Sequence, residues 1–235
     1  MPTSTNPYIK NEEIELAERN TPPTVFAQEW LAEFTQPAGA VYDCFTYEQN
    51  VVAKFRIPKE WKIYGGWDFG SANTAFVVIA YDEEADTYYC VYDYHGAGDE
   101  RKHVRELEKV LNGRKLNGCY AGAASEDSHR ESYGDIGHRI TKPLVSGTGS
   151  VEVGINTVYQ LFKSGRLKIF SSCTNLITQV LSYSYKVDTD DRVTDLIEDK
   201  AMYHRLDALR YVMVSIADAV KPQVIGGKLG KVTRV

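Results

Sequence analysis

The 235-residue sequence lacks most of the features that mark specialised classes of protein. No run approaches 18 apolar residues, so no membrane span is predicted. Residues 1–15 contain no apolar secretory core, so the protein is not expected to be secreted. No two cysteines form a CxxC pair, which argues against a zinc ribbon or a redox motif; the four are Cys44, Cys90, Cys119 and Cys173. These absences predict a cytoplasmic protein with free thiols.

The chain also lacks an excess of positive charge. It carries 27 basic and 32 acidic residues, which give a formal net charge of -5. This balance argues against a generally basic nucleic-acid-binding surface, although a local basic groove can lie beside carboxylates that metal ions neutralise. The length allows one large domain or two small ones, with enough residues for a substantial core.

The order of predicted elements indicates an α/β domain between residues 61 and 220. Three closely spaced strands, Lys62–Phe69, Ala75–Tyr81 and Tyr88–Tyr94, predict an antiparallel meander. Alternating helices and strands then predict parallel strands in the same sheet. The fold class is therefore a mixed sheet flanked by helices. The further elements are helices at Lys102–Leu111, Val151–Ser164, Thr174–Leu181 and His204–Val220, a weaker helical turn region at Asp135–Lys142, strands at Cys119–Ala124 and Leu167–Phe170, and a hairpin of Tyr183–Val187 with Arg192–Asp195.

The two ends of the chain differ from this central domain. Residues 1–60 contain too little apolar material for a core and are expected to form a leader or linker, with short helices at Asn11–Arg19 and Val25–Phe34. Residues 221–235 are rich in basic residues and glycine and are expected to form a disordered tail.

Two acidic sites stand out because each places a carboxylate among apolar residues. Asp68 ends an apolar, glycine-flanked strand, and Asp207 lies one helical turn after His204 at the start of an apolar helix. A buried carboxylate without a partner is costly, so such a group often binds a cation. Each also has a simple structural interpretation, as a turn aspartate for Asp68 and as a helix-dipole pair for His204 and Asp207.

A third acidic site follows the predicted strand Cys119–Ala124. Side chains alternate along an extended segment, so Glu126 and Asp127 are not both expected to point inward. We favour Asp127, which Ser128 follows, and keep Glu126 as the alternative; a simple helix cap is the structural interpretation. Three or four acids on rigid elements suit Mg²⁺, which prefers oxygen ligands, and two such ions can act on a phosphodiester. His204 can ligate a metal or transfer a proton.

These residues resemble the nuclease domain of tailed-phage terminase large subunits. The resemblance lies in Asp68 within an apolar strand, Asp127-Ser128 after a later strand, and the motif His204-x-x-Asp207-Ala208-Leu209-Arg210-Tyr211. It implies a ribonuclease H-like fold and an endonuclease that cuts concatemeric viral double-stranded DNA during genome packaging in the host cytoplasm. It further implies Mg²⁺ or Mn²⁺, two ions in all, as cofactor.

The resemblance also assigns roles to residues of this chain. Asp68, Asp207 and either Asp127 or Glu126 would be catalytic metal ligands, with His204 assisting, while Arg210 is expected to brace an acid within the fold. The implied partners are double-stranded DNA, an ATPase motor domain, a portal and a small terminase subunit. Candidate DNA contacts are Arg130, Lys142, Lys186, Arg192 and Arg205.

Other functions are compatible with the same residues. The phosphate-loop pattern G-x-x-x-x-G-K followed by Ser or Thr does not occur, so these residues do not encode ATP-driven translocation. One alternative is a non-catalytic docking module of a packaging motor, in which the carboxylates are structural. Another is a different ribonuclease H-like nuclease, such as a resolvase or integrase core.

Overall fold

The computed structural model describes residues 39–70, 73–122, 126–190 and 192–217. The predicted helices Asn11–Arg19 and Val25–Phe34 and the predicted basic tail, 221–235, lie outside this part of the chain. None of the helices in the described ranges is long and apolar enough to cross a membrane.

A six-stranded mixed sheet, in the order β1-β6-β4-β3-β2-β5, forms the centre of the fold. Strands β2, β3 and β4 form the predicted antiparallel meander. The pairs β2–β5, β4–β6 and β1–β6 are parallel. The predicted mixed α/β fold class is therefore confirmed. The sheet strands are β1 Val51–Val52, β2 Lys62–Phe69, β3 Thr74–Asp82, β4 Thr87–Gly96, β5 Gly118–Ala121 and β6 Leu167–Phe170.

Helices cover both faces of this sheet, and a separate hairpin of β7 and β8 stands outside it. In chain order the helices are α1 Tyr47–Asn50, α2 Glu100–Leu111, α3 Asp127–Asp135, α4 Ser150–Lys163, α5 Thr174–Ser182 and α6 His204–Ile216. The hairpin strands are β7 Tyr185–Val187 and β8 Val193–Ile197, and Lys200–Met202 forms a short 3₁₀ helix. The predicted hairpin is thus confirmed.

The predicted helical turn region Asp135–Lys142 is wrong, because the helix in this region is α3 and it ends at Asp135. Gly137 then adopts a positive φ of 84°, a conformation that favours glycine just beyond a helix. Further on, Thr141 pairs in parallel with Tyr120 of β5, so this segment is extended where helical turns were predicted.

Alternation along β2 separates the two faces of the sheet. Trp67 and Phe69 belong to a core cluster with Leu107 of α2 and Tyr133 of α3. Gly66 and the other residues of even number face the opposite side, where α4, α5 and α6 pack. Successive side chains of a strand point to opposite faces of the sheet. Because Asp68 has an even number, its carboxylate lies on the face that α6 covers.

Part of the predicted leader belongs to this fold. Val41, Tyr42 and Phe45 are buried in the core cluster that contains α4 and α5. Val51 and Val52 pair with Ile169 and Phe170 and so extend the sheet. The division at residue 60 therefore separates segments that share one core. The strand β1 has only two residues, too few for a sequence pattern to reveal.

The contact between α6 and β2 leads to a testable prediction. A Cβ atom on Gly66 would overlap the Ala208 carbonyl oxygen and lie 2.7 Å from Cγ1 of Val212. We expect Gly66→Ala to lower the free energy of unfolding by about 3 kcal/mol, because the helix backbone must move away from the sheet. Urea denaturation measures this loss.

The matched control is Gly134→Ala in α3, where an added Cβ would meet no atom within 4 Å. Alanine is favoured over glycine within a helix, so this variant is expected to be as stable as the wild type or up to about 1 kcal/mol more stable. Equal urea midpoints for Gly66→Ala and the wild type would show that the close contact does not govern stability.

Candidate active site

Asp68 and His204, which are 136 residues apart in the sequence, are in direct contact. Asp68 lies near the end of β2 and is only 8% exposed. Nδ1 of His204, the first residue of α6, lies 2.7 Å from Oδ2 of Asp68. Two of the predicted site residues are therefore brought together by the packing of α6 on β2. Hydrogen bonding to the carboxylate favours the imidazole tautomer that carries its proton on Nδ1.

Asp207 lies one turn further along α6 and is also held by a partner. Its Oδ1 forms an ion pair with Nη2 of Arg210, three residues later on the same helix. Arg210 is buried, and its aliphatic carbons pack closely over Gly154 of α4. The expectation that Arg210 braces an acid within the fold is confirmed. Its guanidinium compensates for the burial of the Asp207 carboxylate.

The charges of this site act on one another through a partly desolvated region. Burial, together with the carboxylates of Asp207 and Glu126, raises the pKa of Asp68 to about 6, against the hydrogen bond from His204. The pKa of Tyr211 is raised by burial and by the charges of Asp68 and Asp207. Carboxylates on β2, on α6 and at the start of α3 therefore share one electrostatic environment.

Glu126, rather than the favoured Asp127, provides the third carboxylate of this environment. It precedes α3, and its Oε2 fills the space that a Cβ on Gly122 would occupy, beside the ring of Phe69. Gly122 has a positive φ of 74° and directly follows β5, the parallel neighbour of β2. The side chain of Glu126 is therefore at the same end of the sheet as Asp68.

The side chain of Asp127 does not belong to this group of carboxylates. It is 75% exposed and forms an ion pair with Arg130, whose Nη2 lies 2.7 Å from Oδ1 of Asp127. The hydrogen bond from Arg130 lowers the pKa of Asp127. The cause is the helix start: as the first residue of α3, Asp127 shares a face with the residue three positions later.

The five predicted DNA contacts divide into two groups. Arg130 and Arg205 are held within the fold: Nη1 of Arg130 donates to the carbonyl oxygen of Ala121 at 2.8 Å, and Nε of Arg205 lies 2.6 Å from Oδ2 of Asp93. The other three side chains are exposed. They are Lys142 and, on the β7–β8 hairpin, Lys186 and Arg192.

Sequence analysis missed two residues of β4 that support the site. The ring of His95 stacks on His204, with centroids 5.3 Å apart. Asp93 pairs with Arg205 and so ties the first turn of α6 to the sheet. Asp93 lies in the predicted strand Tyr88–Tyr94, and His95 directly follows that strand. In the structure β4 continues through His95, so the two side chains share a face and mark a polar patch on an otherwise apolar sheet.

The carboxylates fit a divalent cation by their chemistry. Across the described ranges, no three His, Cys, Asp or Glu side chains stand as a ready-made metal site. Asp68, Glu126 and Asp207 nevertheless supply carboxylate oxygens, the ligands that hard divalent cations accept, and a cation would offset the burial and the repulsion that raise the pKa of Asp68. His204 orients the carboxylate of Asp68, and Arg210 orients that of Asp207.

The raised pKa of Asp68 leads to a prediction about stability. Its pKa of about 6 in the folded protein exceeds the ordinary value near 4, so ionisation opposes folding. This cost is fully present above pH 6 and disappears as the pH falls towards 4. In EDTA at pH 7.5, Asp68→Asn should therefore raise the melting temperature by about 5 °C, and the gain should vanish near pH 4.

Asp127→Asn is the matched control for this measurement, because its carboxylate is exposed and its pKa is lowered rather than raised. It should give no gain at pH 7.5. A difference between Asp68→Asn and the wild type that stays constant from pH 4 to pH 7.5 would contradict the electrostatic interpretation. Scanning calorimetry at four or five pH values measures both variants.

The chain is similar in sequence to one curated protein. No family model matches the chain. A curated relative, the terminase large subunit of Escherichia phage T5, is 25% identical over 224 residues, which make up 90% of this chain and 50% of the relative. The chain thus spans about half the length of the curated relative that it matches.

Two solved nuclease domains have the same fold. The P22 large terminase nuclease domain matches with a TM-score of 0.61 and 19% identity, over 75% of this chain and 92% of that domain. The g2p large terminase nuclease domain of bacteriophage SPP1, with bound Mn, matches with a TM-score of 0.53 and 19% identity, over 75% of this chain and 97% of that domain. The chain is therefore a homologue of a phage terminase large subunit and has the ribonuclease H-like fold of large terminase nuclease domains.

Proposed function

We propose that this chain is a metal-dependent endonuclease that cuts concatemeric viral double-stranded DNA during genome packaging. The observation that carries the proposal is that Glu126 and Asp207, from two other elements, both act electrostatically on the buried carboxylate of Asp68. The similarity to the nuclease domains of P22 and SPP1, the latter with bound Mn, supports this function. The SPP1 domain also supports a divalent ion as cofactor, and we propose Mg²⁺ or Mn²⁺ and two ions in all.

The carboxylates of Asp68, Glu126 and Asp207 would hold these ions. When bound, two divalent ions lower the pKa of an attacking water and stabilise the leaving oxygen of the phosphodiester. His204 fixes the orientation of the Asp68 carboxylate through its Nδ1 hydrogen bond. Arg210 does the same for Asp207, and its buried position keeps that carboxylate facing the sheet. Both partners limit the rotation of a ligand side chain.

His204 has a second proposed role, as a proton carrier. With Nδ1 occupied by Asp68, its Nε2 is the remaining proton-transfer atom, and the side chain is 32% exposed. Nε2 carries no proton in this tautomer, so it can first take up a proton from water and then pass it to the oxygen that leaves when the phosphodiester bond breaks. Stacking on His95 holds the imidazole plane in place for this transfer.

The proposed DNA contacts at this site are the exposed cations Lys142, Lys186 and Arg192. The latter two lie on the β7–β8 hairpin, which extends beyond the central sheet and can follow a DNA backbone. We do not assign Arg130 and Arg205 to DNA, because Asp127 and Asp93 hold them within the fold. Their cations support the positions of α3 and α6.

The proposed context is a packaging motor in the host cytoplasm. The T5 relative is about twice as long as the matched region, which supports an ATPase motor domain as a partner of this nuclease domain. A portal and a small terminase subunit are further proposed partners. Residues 1–38 and 221–235 are proposed to act as a linker to the motor and as a basic tail.

Plasmid cleavage in Mn²⁺ tests the nuclease assignment. Asp68→Asn, Asp207→Asn and Glu126→Gln should each lower the cleavage rate by about 100-fold or more, because each removes one metal ligand. Asp127→Asn is the matched control and should stay within about threefold of the wild type, since its carboxylate is exposed and paired with Arg130.

The same series separates the alternative functions. Cleavage retained by both Asp68→Asn and Asp207→Asn would overturn the assignment. Loss in Asp127→Asn with retention in Glu126→Gln would show that Asp127 is the third ligand. An intact plasmid with no divalent-ion binding by calorimetry would indicate a docking module, and cleavage of branched DNA alone would indicate a resolvase.

A pair of substitutions at His204 distinguishes its two roles. Asparagine places an amide nitrogen near the position of Nδ1 and can keep the bond to Asp68, whereas alanine loses both ring nitrogens. We expect His204→Ala to weaken Mn²⁺ binding about 10- to 100-fold. His204→Asn should restore most of this affinity but not the cleavage rate. Full activity in His204→Asn would leave the histidine with an orienting role only.

A further inference from the structure

A cationic cleft of about 980 Å³ lies on the opposite side of the sheet from the candidate active site. It is bounded by residues 54–59, which precede β2, and by the second half of α2 with the turn that follows it. The floor of the cleft is apolar and consists of side chains from the sheet: Ile63, Val78, Val91 and Phe170. We refer to this feature as the α2 cleft.

Positive charge is concentrated around the α2 cleft. Five cationic side chains line it, against the single carboxylate of Glu106. That carboxylate is already paired with Lys109, at 2.6 Å. The chain as a whole has a net charge of -5, so the cleft has the opposite sign to the rest of the protein. Such a segregated charge attracts an anionic ligand. The five cations are Lys54, Arg56, Lys59, Lys109 and Arg114.

An exposed aromatic ring lies among these cations. Phe55 is 39% exposed although it is surrounded by other rings. Its ring centroid lies 5.9 Å from that of Trp61, 5.3 Å from that of Tyr89 and 5.0 Å from that of Phe170. These neighbours hold the ring in a fixed orientation, so it can act as a stacking platform with little loss of entropy on binding.

The α2 cleft is separated from the candidate site by the sheet itself. Ile63 and Asp68 lie on the same strand, but their odd and even positions place their side chains on opposite faces. Their Cα atoms are about 17 Å apart along the strand, from a rise of about 3.4 Å per residue. A ligand in the cleft therefore does not occupy the position of the scissile phosphate.

We propose that the α2 cleft binds a segment of single-stranded DNA, apart from the strand that is cut. Phosphates are attracted to the cations that line the cleft, chiefly Lys54, Arg56 and Lys59, and an unpaired base can stack on Phe55. This is the combination that single-strand-binding grooves use. A base within a duplex has both faces covered by its neighbours, so a duplex would engage the cations without the ring. The proposal rests on the proposed function only in taking DNA as the ligand.

The test is DNA binding by fluorescence anisotropy, in EDTA and in an Asp68→Asn background, so that no cleavage takes place. The probes are a labelled 12-nucleotide oligothymidylate and a duplex of the same length. Reversal of two charges, Lys54→Glu with Arg56→Glu, should weaken oligothymidylate binding at least tenfold. It should also reduce the slope of log affinity against log salt by about 1.4, or about 0.7 for each phosphate that is no longer neutralised.

The matched control reverses the charges of two exposed arginines of α2 that do not line the cleft, in the variant Arg101→Glu with Arg105→Glu. This pair changes the net charge equally and should weaken oligothymidylate binding less than threefold. Phe55→Ala should weaken binding of the oligonucleotide by about fivefold or more without changing the salt slope or duplex binding. Urea denaturation of each variant verifies that it is folded.

Three outcomes would overturn the proposal. The first is unchanged oligothymidylate binding after the Lys54 and Arg56 reversals. The second is an equal loss in the control pair, which would reveal a general effect of net charge. The third is preferential binding of a peptide of residues 10–20 of this chain, whose glutamates include Glu12, Glu13 and Glu15, since an acidic segment would then be the occupant. None of these outcomes depends on whether the protein cleaves DNA.

Discussion

The packing of α6 directly against the backbone of β2 is the constraint on which the core and the candidate site both depend. Gly66 has no side chain on that face, so the Ala208 carbonyl oxygen and Val212 approach the strand as closely as backbone atoms allow. This packing sets the height and rotation of α6. Since His204 and Asp207 lie on the first turn of the helix, it also sets their distance from Asp68.

The site contains charged groups whose burial costs free energy. Asp68 is buried beside two other carboxylates, and its pKa of about 6 reflects the free-energy cost of ionising it there. The hydrogen bond from His204 offsets part of this cost without removing it. A cation bound there would offset the remaining cost, so the charges that lower stability are the ones that would favour metal binding.

The alternation of β2 allows two surfaces of different charge to share one sheet. Side chains of even number face α6 and supply the acidic site, whereas those of odd number face α2 and the cationic cleft. A sheet is only one residue thick, yet its hydrogen-bonded backbone holds the two faces in a fixed relation. With the two proposed functions, the chain would contact DNA on one face while its carboxylates act on the other.

The sequence by itself determined most of the elements and two of the three acidic residues of the proposed site. The bounds of β2 and β6 were predicted to the residue, because alternating or continuous apolar runs mark buried strands, and the positions of Asp68, His204 and Asp207 within their elements followed from the same patterns. Only the tertiary structure favours Glu126 over Asp127 for the proposed site, because that preference depends on where α3 starts and on the pairing of Asp127 with Arg130. It alone also placed Val41, Tyr42 and Phe45 in the core and assembled the α2 cleft from segments about 50 residues or more apart. Local patterns report how each segment folds, whereas these features arise from contacts between segments that are distant in the chain.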